Sequence, residues 1–323
     1  MVERLRVAFG TGIVLGLWGG KQEVAPSTAH IMIDRNGKCL SNCRFCPKAK
    51  EAVGDPSTVS RVIWPEWRAE EVVERLARSD FGRICVQQVN YKNSFPDLLQ
   101  TVRELSEVCG APISVCCPPL SLEGIEALRE AGAERMCIPL DCSAPAIFAR
   151  MKGPYYTWTK HIEALVEARR VFGKATTHLI VGLGESEVEI ARTIQQMHDL
   201  GVDTGLFAFF PVRGTPLENR PQPEIRTYRR VQVIRYLVSC ELARVEDFEF
   251  RGGRIISFGI KEKRLDGIVS TGKPFMTSGC PHCNRPFFNE SPRGPIYNYP
   301  RPPSLVEIER IKKEMGDRVF TAG

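Results

Sequence analysis

From Ser27 onward, short apolar runs alternate with longer amphipathic segments, so that period-two and helical patterning take turns along the chain. The runs HIMID (30–34), RICVQQV (83–89), PISVCCP (112–118), RMCIPLD (135–141), THLIVGL (177–183) and TGLFAFFPV (204–212) read as strands. Between them, Pro65 to Ser79, Ser94 to Val108, Ser121 to Ala131, Thr157 to Val171, Ser186 to Leu200 and Pro223 to Leu242 carry helical spacing. Several of these open on Ser, Thr or Pro and close near Gly, as helix ends require. Six strand–helix units in succession predict an α/β chain: a (β/α) TIM-type barrel or partial barrel, with its working residues at the C-terminal ends of the strands.

Both ends break the rhythm. Residues 1–28 read as an N-terminal extension; its apolar stretch from Ala8 to Gly20 holds five glycines and is too short to cross a bilayer. Residues 29–243 form the expected barrel core. Residues 244–323 change character: short strands, a Pro/Gly/Asn-rich run from Cys280 to Pro303, then a helix at Ser304 to Met315.

A length of 323 residues suits one large α/β barrel, and a formal charge of +6 without a basic, aromatic-laced block argues against nucleic acid as a partner. No membrane segment is expected. Twelve cysteines without a signal peptide point to a reducing, cytoplasmic setting, where metal ligation outranks disulfides. Three of those thiols stand in one loop. In CLSNCRFCP, Cys39, Cys43 and Cys46 are spaced CxxxCxxC directly after the first strand. Such a triplet can hold three irons of a [4Fe-4S] cube and leave the fourth open to chelate a small molecule. The alternative is a zinc site completed by a remote ligand, although zinc ribbons favour CxxC pairs.

The triplet with Phe45 before its last cysteine resembles the signature of the radical S-adenosylmethionine (SAM) superfamily. That resemblance implies a [4Fe-4S] cluster with SAM bound at its open iron. HLIVGLGES (178–186) is similar to the superfamily's GxIxGxxE element and offers Ile180, Gly182 and Glu185 to the adenosine. PLDCS offers Asp141 to the ribose hydroxyls, or simply a carboxylate at a helix N-terminus. Gln88, with Gln87 and Asn90, ends the second strand where the superfamily usually carries a Gly-Gly-Glu element for the methionine amine.

Over Cys39 to about Glu218 the chain most resembles biotin synthase and its relatives; FFPVRGTPLE, which contains Val212, is similar to that family's adenosine-closing turn. Biotin synthase holds a [2Fe-2S] cluster with three strand cysteines and an arginine. Cys85 and Cys116 or Cys117 match two of these by position, whereas Thr176 replaces the third cysteine and the arginine position falls near Glu249. The tail offers a different pair, Cys280 and Cys283 in TSGCPHCNRPFFNE, with Ser278 beside it. A close pair can share a second, auxiliary cluster with ligands from the barrel, for which Cys240, Cys117, Cys85 and Ser278 are candidates. A zinc knuckle or two free thiols are the plainer alternatives. Cys109, Cys137 and Cys142 read as core residues.

The GTGIVLGL start, the KCLSNCRFCP loop and the SGCPHCNRPFFNE tail resemble one subunit of the archaeal-type two-protein lipoyl synthase. This resemblance implies that a 5′-deoxyadenosyl radical abstracts hydrogen from an octanoyl chain, and that an auxiliary [4Fe-4S] cluster donates sulfur. It also implies three partners: an octanoylated lipoyl carrier protein or domain, a second radical SAM lipoyl synthase subunit, and an electron donor such as ferredoxin or flavodoxin. Catalytic residues beyond the cluster ligands are not expected, because the five histidines are scattered and none falls in a nucleophile motif. Basic segments at Arg226 to Arg235 and Lys261 to Arg264 suit an acidic carrier, and Tyr155, Tyr156 and Trp158 suit an acyl channel or a sealed barrel rim. The remaining alternatives are another biotin synthase-like enzyme (biotin-type sulfur insertion, a mutase or a hydrogenase-cofactor maturase) and a non-catalytic zinc-binding adaptor.

Overall fold

The computed structural model describes residues 2–35 and 37–316; residues 317–323 of the expected C-terminal segment lie outside them. Its strands are β1 (Arg4–Val7), β2 (Thr28–Ile33), β3 (Thr58–Val59), β4 (Val62–Ile63), β5 (Glu66–Arg68), β6 (Arg83–Gln88), β7 (Ile113–Cys116), β8 (Ala133–Cys137), β9 (Ala175–Val181), β10 (Val202–Ala208), β11 (Glu249–Arg251) and β12 (Arg254–Ser257). Its helices are α1 (Phe9–Val14), α2 (Ala69–Ala77), α3 (Ser94–Val108), α4 (Leu122–Glu130), α5 (Pro145–Lys152), α6 (Trp158–Phe172), α7 (Glu187–Asp199), α8 (Ile225–Ser239), α9 (Glu262–Ser270) and α10 (Leu305–Met315).

One eight-stranded sheet runs in the order β10-β9-β8-β7-β6-β2-β1-β5. The six strands from β2 to β10 in this sheet pair in parallel, with helices between them, which is the predicted (β/α) arrangement. β1 pairs antiparallel to both β2 and β5, so the sheet ends there as a partial barrel. The N-terminal extension is thus an integral strand of the sheet. It also explains why Pro65 to Ser79 is not all helix: Trp67 pairs with Leu5 across the β1–β5 ladder, and helix begins only at Ala69. Other helices match their signals closely. Ser186 caps α7 with Glu189 in a reciprocal capping box, and Ser304 does the same for α10 with Glu307.

Strand pleating sends alternate residues inward. On β6 the buried Ile84 and Val86 pack in the main hydrophobic core, while Arg83, Cys85 and Gln87 face the barrel interior. The same division holds on β2, where Thr28, His30 and Met32 face the interior.

The tail fills the base of this interior. On the β10 side, Ser278 Oγ accepts a hydrogen bond from Leu206 N at 3.0 Å. On the β2 side, Thr28 Oγ1 donates to His282 O at 2.9 Å and Ser27 N donates to Asn284 Oδ1 at 2.9 Å. Further on, Arg61 Nη1 of the β3–β4 hairpin donates to Phe287 O at 2.7 Å, and Phe288 packs on Trp64 and His30. The segment is anchored beyond the cysteines by Arg229 of α8, wholly buried, which donates to Tyr297 O at 2.9 Å and pairs with Glu314 at 2.8 Å. Arg230 is likewise paired with Glu187, and the half-buried Arg235 donates to Pro274 O at 3.2 Å. The expectation that Arg226 to Arg235 forms a steering face is therefore corrected: three of its arginines hold the fold together.

Candidate active site and second cysteine centre

A single cavity of about 310 Å³ runs through the barrel, and two groups of cysteines open onto it. At the mouth are Cys39, Cys43 and Cys46. The loop that carries them is pinned on three sides: Cys39 N donates to Lys48 O at 2.7 Å, Leu40 N to Asn90 O at 2.7 Å, and Arg44 N to Met151 O at 2.8 Å. Beneath it, the fully buried Asp34 carboxylate takes Lys48 Nζ at 2.5 Å and Arg6 Nε at 2.7 Å. Burial alone would raise the Asp34 pKa, but the two cations hold it below the ordinary carboxylate value. The loop is therefore fastened to β1 and β2 through a buried ionic knot.

Cys43 and Cys46 are half-buried, and desolvation of their thiols pushes them up to about 12 and about 11, against the pull of nearby Lys152 and Lys48. Among the described residues, Cys116, Cys137 and His178 are the group of metal-type donors drawn within 4.8 Å of one another. The mouth triplet is spread more widely. Three soft thiols from one loop, set apart and facing one another, fit the corners of an iron-sulfur cube better than the faces of a single ion.

Of the residues expected to hold SAM, Phe45, Gln88, Asp141 and Ile180 line the cavity. Asp141 stands in the left-handed region at φ 65°, bridged to Leu179 of β9, and its carboxylate meets Lys152 Nζ at 2.6 Å. Burial opposes the Lys152 charge, but Asp141 and the Cys43 thiol outweigh it and raise the amine's pKa. Tyr156 reaches the mouth too, its hydroxyl accepting from Ser41 Oγ at 2.6 Å. The other expected residues stand apart from the cavity lining. Glu185 folds back to accept from Gly182 N at 2.5 Å, so both residues close their own turn outside the cavity lining. Val212 belongs to the turn whose carbonyl takes Thr215 Oγ1 at 2.7 Å, and it also lies outside the lining. Of the aromatic trio, Trp158 packs on Phe148 and Tyr155 is exposed, leaving Tyr156 alone at the cavity.

At the base, the tail brings Cys280 and Cys283 against the barrel strands. Cys280 Sγ lies 3.5 Å from Thr176 Oγ1, and Cys283 Sγ lies 3.8 Å from His30 Nε2 and 3.6 Å from Arg285 Nη1. Cys85 faces Cys116, Cys280 and Cys283, and its thiol is pushed well up by burial and by these neighbours. Cys85 is therefore the one candidate that the fold brings to the tail pair. Cys240 is exposed at the C-terminus of α8, and Cys117, the residue after β7, packs in the main core while also bordering the cavity. Ser278 has its oxygen committed to Leu206 N and does not line the cavity. Glu249, near the expected arginine position, sits on the outer β11–β12 hairpin; the guanidinium at the base comes from Arg285.

Cys116 and Cys137 line the base as well, Cys137 being buried as expected and also open to the cavity. Its signal was in the pleat: Arg-x-Cys at 83–85 and 135–137 and Ser-x-Cys at 114–116 place polar residues and thiols on one face. A separate apolar cluster of Ala8, Met32, Trp64 and Val89 has Cys39, Val59 and Phe288 packed on it, and all of these but Ala8 line the cavity.

The sequence pattern of the Radical SAM superfamily matches residues 35–197, half of the chain, and that match starts just before the mouth loop. The chain belongs to the radical SAM superfamily. Within this superfamily it is similar to biotin synthase of Gloeothece citriformis, 26% identical over 235 residues, which cover 68% of this chain and 62% of that one. Biotin synthase of Aquifex aeolicus is 28% identical over 200 residues, covering 59% and 58%. The chain thus spans about three fifths of the length of these curated relatives. Among solved structures, the [FeFe]-hydrogenase maturase HydG superposes with a TM-score of 0.55 at 13% identity, covering 66% of this chain and 50% of that one. Methylornithine synthase superposes with a TM-score of 0.51 at 16% identity, covering 64% and 62%. These two likenesses show a shared radical SAM fold. The family implies a [4Fe-4S] cluster with SAM, and among the described residues no helix is long and apolar enough to cross a membrane.

Proposed function

We propose that this radical SAM chain inserts sulfur into an octanoyl group carried on a lipoyl carrier protein, working with a second radical SAM subunit and a ferredoxin- or flavodoxin-type electron donor. The observation that carries the reading is that Cys39, Cys43 and Cys46 and the pair Cys280 and Cys283 open on one cavity whose lining also holds the apolar Met32, Val59, Trp64, Val89 and Phe288. When bound, SAM and its cluster at the mouth supply a 5′-deoxyadenosyl radical, and an iron-sulfur cluster at the base supplies sulfur.

The chain's own residues then bind, orient and keep water out. Cys39, Cys43 and Cys46 would hold the first cluster, with Phe45 lining the cavity beside them; Asp141, fixed by Lys152, would take the ribose hydroxyls, and Ile180 would offer an apolar edge to the adenosine. Cys280, Cys283 and Cys85 hold the second cluster. Arg83 and Arg285 stand beside these thiols and offset their charge, which a dry chamber otherwise penalises. Met32, Val59, Trp64, Val89 and Phe288 offer the acyl chain a water-free path from mouth to base.

A biotin-type reading has one observation in its favour. Cys280 Sγ lies 3.5 Å from Thr176, the position where the biotin synthase resemblance expects a strand cysteine, and Arg285 supplies a guanidinium. Anaerobic turnover with SAM, reductant and either an octanoyl-lysyl peptide or dethiobiotin, alone and with the second subunit, separates the two. Sulfur gained by the peptide, read by mass, is expected. Sulfur gained only by dethiobiotin, or 5′-deoxyadenosine formed without sulfur transfer, overturns the lipoyl reading.

A further inference from the structure

The base of the cavity holds more soft donors than one cluster uses. Besides Cys117, which packs mainly in the core, five thiols (Cys85, Cys116, Cys137, Cys280 and Cys283) and two imidazoles (His30 and His178) line it, whereas a [4Fe-4S] cube has four irons to ligate. Three of the seven form a compact set. Cys116 is in register with Cys137 across β7 and β8, and Cys137 is in register with Thr176 across β8 and β9. His178 lies two residues beyond Thr176 on the same strand face. As a result, the two Sγ atoms and a His178 ring nitrogen all lie within 4.8 Å of one another, and Cys137 Sγ is 3.3 Å from His178 Nε2.

That spacing decides between two kinds of metal centre. A tetrahedral ion bound at about 2.3 Å to sulfur and about 2.0 Å to nitrogen keeps its ligand atoms roughly 3.5–3.8 Å apart. The thiolates of a cube sit on different irons and stand farther from one another. We propose that Cys116, Cys137 and His178 form a single-ion site for a thiophilic divalent cation, ferrous iron or zinc, distinct from the cluster on Cys85, Cys280 and Cys283. Two thiolates and one imidazole suit either ion. Three protein ligands leave a fourth position open toward the cavity, where the Cys85 and Cys280 thiols stand within electrostatic reach. The Phe207 ring, 4.7 Å from the His178 ring, holds the imidazole in place. The inference rests on the preceding reading only for the ligands of the neighbouring cluster.

The test is metal stoichiometry in the full chain, prepared anaerobically with its clusters. His178→Ala and Cys116→Ser are each expected to remove one metal equivalent per chain and leave acid-labile sulfide unchanged. Loss of several irons together with sulfide would make these residues cluster ligands and overturn the proposal; so would no loss of metal. His178→Phe keeps an aromatic ring against Phe207 where the alanine variant folds poorly. In zinc-loaded wild-type chain, X-ray absorption should report a mixed sulfur and nitrogen shell; in His178→Phe the imidazole nitrogen should be missing, and an all-sulfur shell already present in the wild type sinks the idea. Failure of sulfur insertion leaves these readouts unaltered, so the two proposals fail separately.

Discussion

The two cysteine groups of this barrel are built by opposite means. At the mouth, Cys39, Cys43 and Cys46 come from eight consecutive residues, and the loop is held by backbone hydrogen bonds and by the buried Asp34–Lys48–Arg6 knot. At the base, Cys85, Cys116 and Cys137 come from three adjacent strands, and Cys280 and Cys283 from a tail that crosses from β10 to β2. A contiguous loop can hold one fixed geometry on its own. The base group, assembled from four separate segments, depends on strand register and on the tail's anchorage.

Changes on each side should therefore part cleanly. Cys43→Ala is expected to lower 5′-deoxyadenosine formation on the order of 10³-fold or more, because the cluster ligands act as a unit, while metal at the base is retained; iron analysis with product assay checks both. The double change Cys280→Ala and Cys283→Ala should abolish sulfur transfer and keep SAM cleavage within about threefold. Equal loss of both activities would mean that the two centres are not separable.

Asp34→Asn leaves the buried Lys48 without its counter-charge, while Arg6 keeps Glu66 at 2.7 Å, and should cost about 3–5 kcal/mol of stability, read from denaturant unfolding. The Asp34 pKa is depressed in the folded chain, so its contribution is fully present above the unfolded value of about 3.9 and is lost as pH falls through the folded value. The wild type's advantage over the asparagine variant should accordingly shrink in acid. Cys240→Ser, on the exposed end of α8, should change neither metal content nor stability beyond about 0.5 kcal/mol; a larger effect would reopen Cys240 as a ligand.

Much of this was legible in the chain. The six parallel strands follow from apolar runs spaced by amphipathic segments, and the caps at Ser121, Thr157, Ser186 and Ser304 mark where helices begin. Lys152 was not legible, because its role depends on α5 carrying it back under Asp141. Glu185 was misleading: a carboxylate after Gly-Leu-Gly looks free to bind ligand, yet the positive φ of Gly182 turns the backbone so that Glu185 satisfies its N–H. The arginines of α8 show the reverse error, a charged run that packing against the tail turned inward.

What the sequence by itself determined is the local chemistry: strands, helices and the CxxxCxxC loop, since spacing of a few residues fixes which side chains can meet within one element or turn. The tertiary structure decided the second centre. Cys137 and His178 are 41 residues apart, and Cys280 lies 104 residues from Thr176. Over such separations only strand register and the path of the tail bring donors together, and neither is written in the neighbourhood of any one cysteine.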